Sequence, residues 1–336
     1  MRNIILRSAA MIAALAMTMS SCSNEELTEG NGQPEMKGIS SVTLETPQNG
    51  PSTRLEYNID NTQGLGVKWK AGYYPKNNEA EKGVCINAAY SLLYGAVFVR
   101  TDEGEAAPKA EFTFYNFEQN AKRGQGQGSI GLLYPYKTEY AGAFNVNPSY
   151  DNAIEASLTL SGQSGRLADV ENFDYMTAIA AVPDITSTDA SLNIVFKHRI
   201  AIMRLTGLTF PAGIGSTATS VSISDTGLKT NAKLTFIKGA NDALTESLKL
   251  GSTKGSITTT GAFNINGNVM DDVYICFFPG NADVSGTYEI TNLKVTAIVD
   301  GDTYQYDYGS DTNVTMKVTK FEEGKMYTLK DKAMTK

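Results

Sequence analysis

Apolar residues in this chain come in short strand-like segments, most of them alternating with polar ones. Glu111-Phe112-Thr113-Phe114-Tyr115, Asn193-Ile194-Val195-Phe196, Ala232-Lys233-Leu234-Thr235-Phe236 and Leu293-Lys294-Val295-Thr296-Ala297-Ile298-Val299 are clear examples, and Ala96-Val97-Phe98-Val99 is a wholly apolar one. A period of two sends successive side chains to opposite faces, which is the signature of a strand with one face buried. Gly, Asn, Asp and Pro close the segments, and the chain carries 31 Gly, 17 Tyr and 13 Phe, residues suited to turns and to pleated surfaces. The long 3.6-residue period of a helical protein is missing, and the best helix candidate is the short stretch from Asn87 to Leu93. The pattern predicts an all-β chain of antiparallel sandwiches with Greek-key connections and few short helices.

The 336 residues suit two domains, each long enough to bury its own core. A polar seam near Val182-Pro183-Asp184 and Ser187-Thr188-Asp189 precedes the strongest apolar block, Leu192 to Leu208. This predicts an N-terminal β-sandwich over residues 39–184 and a C-terminal one over 185–336, with residues 22–38 as a flexible polar tether. The net charge is −7 and no basic cluster is present, which argues against nucleic acid as a partner.

Residues 1–21 read as a secretory signal: Arg2 and Arg7, an apolar run from Ala9 to Met19, then Ser20-Ser21 before Cys22. The layout resembles a bacterial lipoprotein signal, with Met19 where leucine is usual and Ser21 where glycine or alanine is usual. That resemblance implies acylation of Cys22, with palmitate among the chains, and a mature charge of −9 once Arg2 and Arg7 are gone. Ser23-Asn24-Glu25-Glu26 resembles the signal that exports lipoproteins of the Bacteroidetes to the outer face of the outer membrane. No second apolar run approaches the roughly 20 residues of a membrane span, so the expected anchor is lipid alone. Stable anchoring then needs more than one acyl chain. Cys85 and Cys276 sit in strand-like apolar contexts. An oxidising compartment would permit a bridge, but buried free thiols behaving as small hydrophobes are the favoured reading.

Thr53-Arg54, then Trp69-Lys70-Ala71-Gly72, Gly131-Leu132-Leu133-Tyr134-Pro135-Tyr136, Asp174-Tyr175-Met176-Thr177-Ala178, Asn193 to Ala201 and Phe321-Glu322-Glu323-Gly324-Lys325-Met326-Tyr327 follow one another in order along the chain. In this series the chain resembles the fimbrillins of Bacteroidetes, the FimA- and Mfa-type lipoprotein precursors that become subunits of type V pili. It departs from them at Tyr73, where an aspartate is common. The resemblance implies two transthyretin-like β-sandwiches and a structural or adhesive role in a surface fimbria. It also implies a trypsin-like cut between Arg54 and Leu55. The loop from Thr46 to Thr53 is rich in Pro, Gly, Asn and Ser, as an exposed and cleavable tip should be.

Such a cut would release the strand-like segment Ile39 to Glu45, which offers Val42 and Leu44 to the core. The groove left behind would expose unpaired backbone groups and an apolar floor, a costly and association-prone state. An extended segment of another subunit can fill it by strand addition, as in pilin donor-strand complementation. The resemblance points to residues 313–336 as that donor, with Val314, Met316, Val318, Phe321, Tyr327 and Leu329 as plugs. Expected partners are other fimbrial subunits in a homo- or hetero-polymer, the outer membrane through the lipid, and surface ligands of host or bacteria. No cofactor is expected.

Other motifs are weaker. His198 is the only histidine and lies in an apolar block, so it reads as a satisfied strand residue rather than a base or metal ligand. Any Ser-His or Cys-His arrangement would have to use it, and no G-x-S-x-G elbow occurs. Gly124-Gln125-Gly126-Gln127-Gly128 lacks the Lys-Ser/Thr of a phosphate loop. Asp300-Gly301 reads as a hairpin turn rather than a calcium loop. Tyr304, Tyr306 and Tyr308 alternate and read as a packed face. No local pattern selects a glycosidase pair among the carboxylates, and no enzyme activity is expected. The alternative function is a surface glycan-binding lipoprotein of a polysaccharide-uptake system. The single tryptophan, Trp69, speaks against the aromatic platform such proteins display.

Overall fold

The computed structural model describes residues 41–45, 85–90, 93–100, 109–115, 128–135, 153–182, 192–225, 228–240, 243–251, 255–281, 284–285, 287–289, 292–308, 310 and 320–336. In chain order the strands begin with β1 (Ser41–Glu45), β2 (Cys85–Tyr90), β3 (Leu93–Arg100), β4 (Lys109–Tyr115), β5 (Gly128–Tyr134) and β6 (Ala153–Thr159). They continue with β7 (Met176–Val182), β8 (Leu192–Val195), β9 (Lys197–His198), β10 (Ala201–Thr206), β11 (Thr217–Asp225) and β12 (Leu228–Lys229). Next come β13 (Asn231–Lys238), β14 (Leu244–Leu250), β15 (Gly255–Thr258), β16 (Phe263–Asn266), β17 (Val269–Met270) and β18 (Val273–Asn281). The last are β19 (Val284–Ser285), β20 (Thr287–Glu289), β21 (Lys294–Val299), β22 (Asp302–Asp307), β23 (Lys320–Glu322) and β24 (Met326–Lys330). The all-β expectation holds. The only helical element among the described residues is a 3-10 turn, Leu167–Asn172.

The expected helix at Asn87–Leu93 is corrected: β2 and β3 occupy it, with Ala88 opposite Ala96 and Leu132, and a register shift before Tyr90. Alanine, leucine and serine set a local preference for helix there. Pairing with a strand on each side outweighs a propensity worth a few tenths of a kcal/mol per residue, about the size tertiary context routinely overrides.

The largest sheet runs β8-β1-β4-β3-β2-β5-β7-β9. Its two end strands are separated in sequence only by Phe196, which is buried. The segment leaves β1 on one edge and reaches β7 on the other, with Met176 opposite His198. The sheet therefore curls until its edges meet. A three-stranded sheet, β14-β13-β6, lies with it around the first core, which gathers Ile130, Leu132, Leu158, Phe196, Leu234, Phe236 and Leu248. Segments on both sides of residue 184 feed this core, because β13 pairs β6 from Asn231↔Thr159 to Ile237↔Ala153.

The second core lies against the sheet β17-β16-β11-β21-β22 and holds Val221, Ile223, Phe263, Val295 and Tyr304. Between the two cores stands the sheet β12-β18-β10-β24. Ile202, Cys276, Phe278 and Met326 face the first core, while Met203, Leu205, Ile275, Phe277 and Leu329 face the second. A sheet covered on both sides has no polar face. This is why Ala201–Leu205 and Val273–Phe278 are nearly unbroken apolar runs, although most other strands alternate.

The hairpin of β21 and β22 turns at Asp300 and Gly301, with φ of 51° and 85°. Both residues are left-handed, as a two-residue turn matched to strand twist requires. Tyr304 and Tyr308 are buried and Tyr306 packs beside them, so the tyrosine row is a packed face. Gly301→Ala places a Cβ in the left-handed region and lowers stability by about 1–2 kcal/mol, measurable as a lower urea midpoint with unchanged slope.

Candidate functional site

The backbone of β1 is the first place where function and fold meet. β1 runs antiparallel to β4, with Val42 opposite Phe112 and Leu44 opposite Ala110. It runs parallel to β8, with Val42 also level with Leu192 and Leu44 with Ile194. A segment close to the N-terminus is thus an interior strand with a neighbour on each side. Taking it out would leave facing rows of unmet N–H and C=O groups on β4 and β8, each worth about 1–3 kcal/mol if buried and unsatisfied. Cys22, Arg54, Leu55, Trp69 and Gly124–Gln127 lie outside the described residues, as do the side chains of Val42, Leu44 and Cys85.

The segment expected to act as donor is placed differently. Val314, Met316 and Val318 lie outside the described residues. Phe321, Tyr327 and Leu329 are built into the chain's own fold. Phe321 is 1% exposed. Its ring meets Phe277 edge-on at 4.8 Å and Tyr327 at 4.9 Å. The Tyr327 hydroxyl accepts from the Glu322 N–H at 2.8 Å, and burial pushes the phenol up to about 12. β24 pairs β10 in parallel, with Met203 level with Tyr327 and Leu205 with Leu329. Beyond β24, Met334 is buried and its N–H donates to the Thr209 carbonyl at 2.7 Å. Thr335 and Gln305 exchange both backbone bonds, at 2.9 and 2.7 Å.

A buried polar cluster fastens the β23–β24 turn to the first core. His198 Nδ1 and Asp174 Oδ1 are 2.6 Å apart, and both side chains are almost fully buried. Next to them, Arg199 donates from Nε to the Thr177 hydroxyl at 2.7 Å and from Nη1 to Glu323 Oε2 at 3.2 Å. Its Nη2 pairs with Glu246, which also accepts from the Thr177 hydroxyl at 2.8 Å. Glu323 Oε1 is buried and has no hydrogen-bond partner among the described residues. The cluster joins β7, the β9–β10 corner, β14 and the last turn, so His198 is a structural strand residue. Periodicity pointed to its burial but not to Arg199 as a hub, because the carboxylates it gathers lie 47 and 124 residues away.

Cys276 is fully buried and free, and desolvation pushes its thiol well above the ordinary range. Among the described residues no three His, Cys, Asp or Glu side chains converge as a metal site.

Residues 96–333 match the profile of a family described as fimbrillin-like. No curated protein matches the sequence. Among solved structures, a candidate cell adhesion protein of Bacteroides ovatus is 14% identical with a TM-score of 0.49, covering 89% of this chain and 95% of that one. A second candidate cell adhesion protein, of Bacteroides uniformis, is 16% identical with a TM-score of 0.41, covering 78% and 87%. A fimbrilin of Porphyromonas gingivalis is 10% identical with a TM-score of 0.36, covering 89% and 92%.

Proposed function

The chain belongs to the fimbrillin-like family, and from that premise we propose that it is a fimbrial subunit that joins a neighbour by strand exchange at the position of β1. The carrying observation is the place of β1 inside a curled sheet, nine residues ahead of Arg54. Acylation at Cys22 holds the precursor on the outer face of the outer membrane, and β1 fills its own groove. A cut between Arg54 and Leu55 detaches the lipid and β1 together. The groove then has β4 on one side and β8 on the other, and a strand from another subunit restores both ladders. The two-domain reading with a division near residue 184 stands beside this as a proposal. No chemistry is assigned to the chain.

An arginine-specific protease acting on the purified precursor should yield a fragment beginning at Leu55. Mixed with its fimbrial partners, that fragment should form an SDS-resistant ladder. Arg54→Ala should abolish both. A precursor that stays whole under conditions that cleave an exposed Arg-containing peptide would end this reading.

A further inference from the structure

We infer that residues 320–336 stay in their own sheet throughout assembly as a fixed partition between the two cores, so the segment exchanged between subunits comes from elsewhere. This rests on the strand-exchange reading above. It departs from the expectation that the C-terminal segment is the donor, and three independent features of that segment carry it.

First, β24 serves both cores at once. Met326 closes the first core from one face of the partition, and Leu329 and Tyr327 pack into the second from the other. A donor must leave without dissolving what it leaves. Departure of β24 would uncover apolar surface on both sides of one sheet, together with Phe321 against Phe277. An end strand covered on a single face carries no such double burden.

Second, the segment is tied at every level along its length. The Gly324 N–H donates to the Ile200 carbonyl at 2.8 Å, and the Ile202 N–H to the Lys325 carbonyl at 3.0 Å. The Asp331 N–H donates to Thr206 at 3.0 Å, and the Thr209 N–H to Lys332 at 2.9 Å. Past these, the paired bonds of Thr335 and Gln305 carry the segment across to β22, on the opposite sheet of the second core. The Lys332 ammonium sits 5.4 Å from the Tyr306 ring centroid. The segment therefore seals an opening between two sheets, and does not merely lie along one of them.

Third, its first turn is locked electrostatically. Glu323 reaches Arg199 in the cluster that also engages Thr177 and Glu246. Release of the hairpin would leave Arg199 with one carboxylate partner fewer in a buried setting, where an unpaired charge is costly.

Native-state hydrogen exchange on the intact chain tests this without requiring any processing. The amides of Met326–Lys330, Met334 and Thr335 should exchange only through the opening that also releases β10 and β11. An opening that frees β24 while β10 stays protected overturns the inference. A second measurement uses Gln305→Cys with Thr335→Cys. These directly opposed residues should have Cα atoms about 5.5 Å apart, within the range of roughly 4.4–6.8 Å that a disulfide needs. The processed protein is then incubated alone, oxidised and reduced. Equal polymer in both states, or none in either, supports a fixed partition. Polymer only in the reduced state identifies residues 320–336 as the donor and overturns it. Failure of the Arg54 cut leaves the exchange result standing, so the two readings fall separately.

Discussion

Replacing Phe321 by alanine lowers the unfolding free energy by about 3–5 kcal/mol, the usual cost of removing a buried aromatic side chain. The ring is 1% exposed and stands between Phe277 of the partition and Tyr327 of β24. Truncation deletes both edge-to-face contacts and leaves a cavity that two neighbouring strands cannot close, since each is held in register on its other side. Whole domains are stable by only about 5–15 kcal/mol, so the variant should unfold at a much lower urea concentration. Phe321→Leu, which keeps most of the volume, should lose much less. A loss under about 1 kcal/mol for the alanine variant, small beside the cavity cost, would mean that the last hairpin contributes little to the second core. The partition argument would then lose its base.

Arg199→Met should cost about 3–5 kcal/mol, because removing one member of a buried ion pair leaves the others uncompensated. Arg199 is 8% exposed and is the only cation printed against both Glu246 and Glu323. Without it, two carboxylates face a buried region with the Thr177 hydroxyl as the remaining donor to Glu246. The triple variant Arg199→Met, Glu246→Gln, Glu323→Gln should recover most of the loss, since neutral amides do not carry the desolvation cost of unpaired charge. Equilibrium urea unfolding of the three proteins measures this. If the triple variant is as unstable as the single one, packing by the arginine stem rather than charge explains the loss.

The sequence carried the class of fold openly and its connections poorly. In β21 and β22 the alternation from Lys294 to Val299 and the Asp300-Gly301 turn are local, and the hairpin forms where they place it. At Asn87–Leu93 the local preference misled, since two partner strands distant in the chain decide the conformation. The pairing of β13 with β6 was illegible, because residues 231–238 alternate as well for one sheet as for another. His198 could be recognised as a buried strand residue from its apolar surroundings. The hub at Arg199 could not, as its partners converge only after folding.

The sequence by itself determined that this chain is built of half-buried strands, that it resembles the fimbrillins, and that an N-terminal strand precedes a cleavable arginine. Those properties depend on residues near one another along the chain. Only the tertiary structure decided that β1 lies between β4 and β8, and that β24 divides two cores. Periodicity records whether a strand has one apolar face or two, but not which core each face meets. That choice belongs to long-range pairing, where the ladders of β10 and β18 select β24 as the strand that closes the partition.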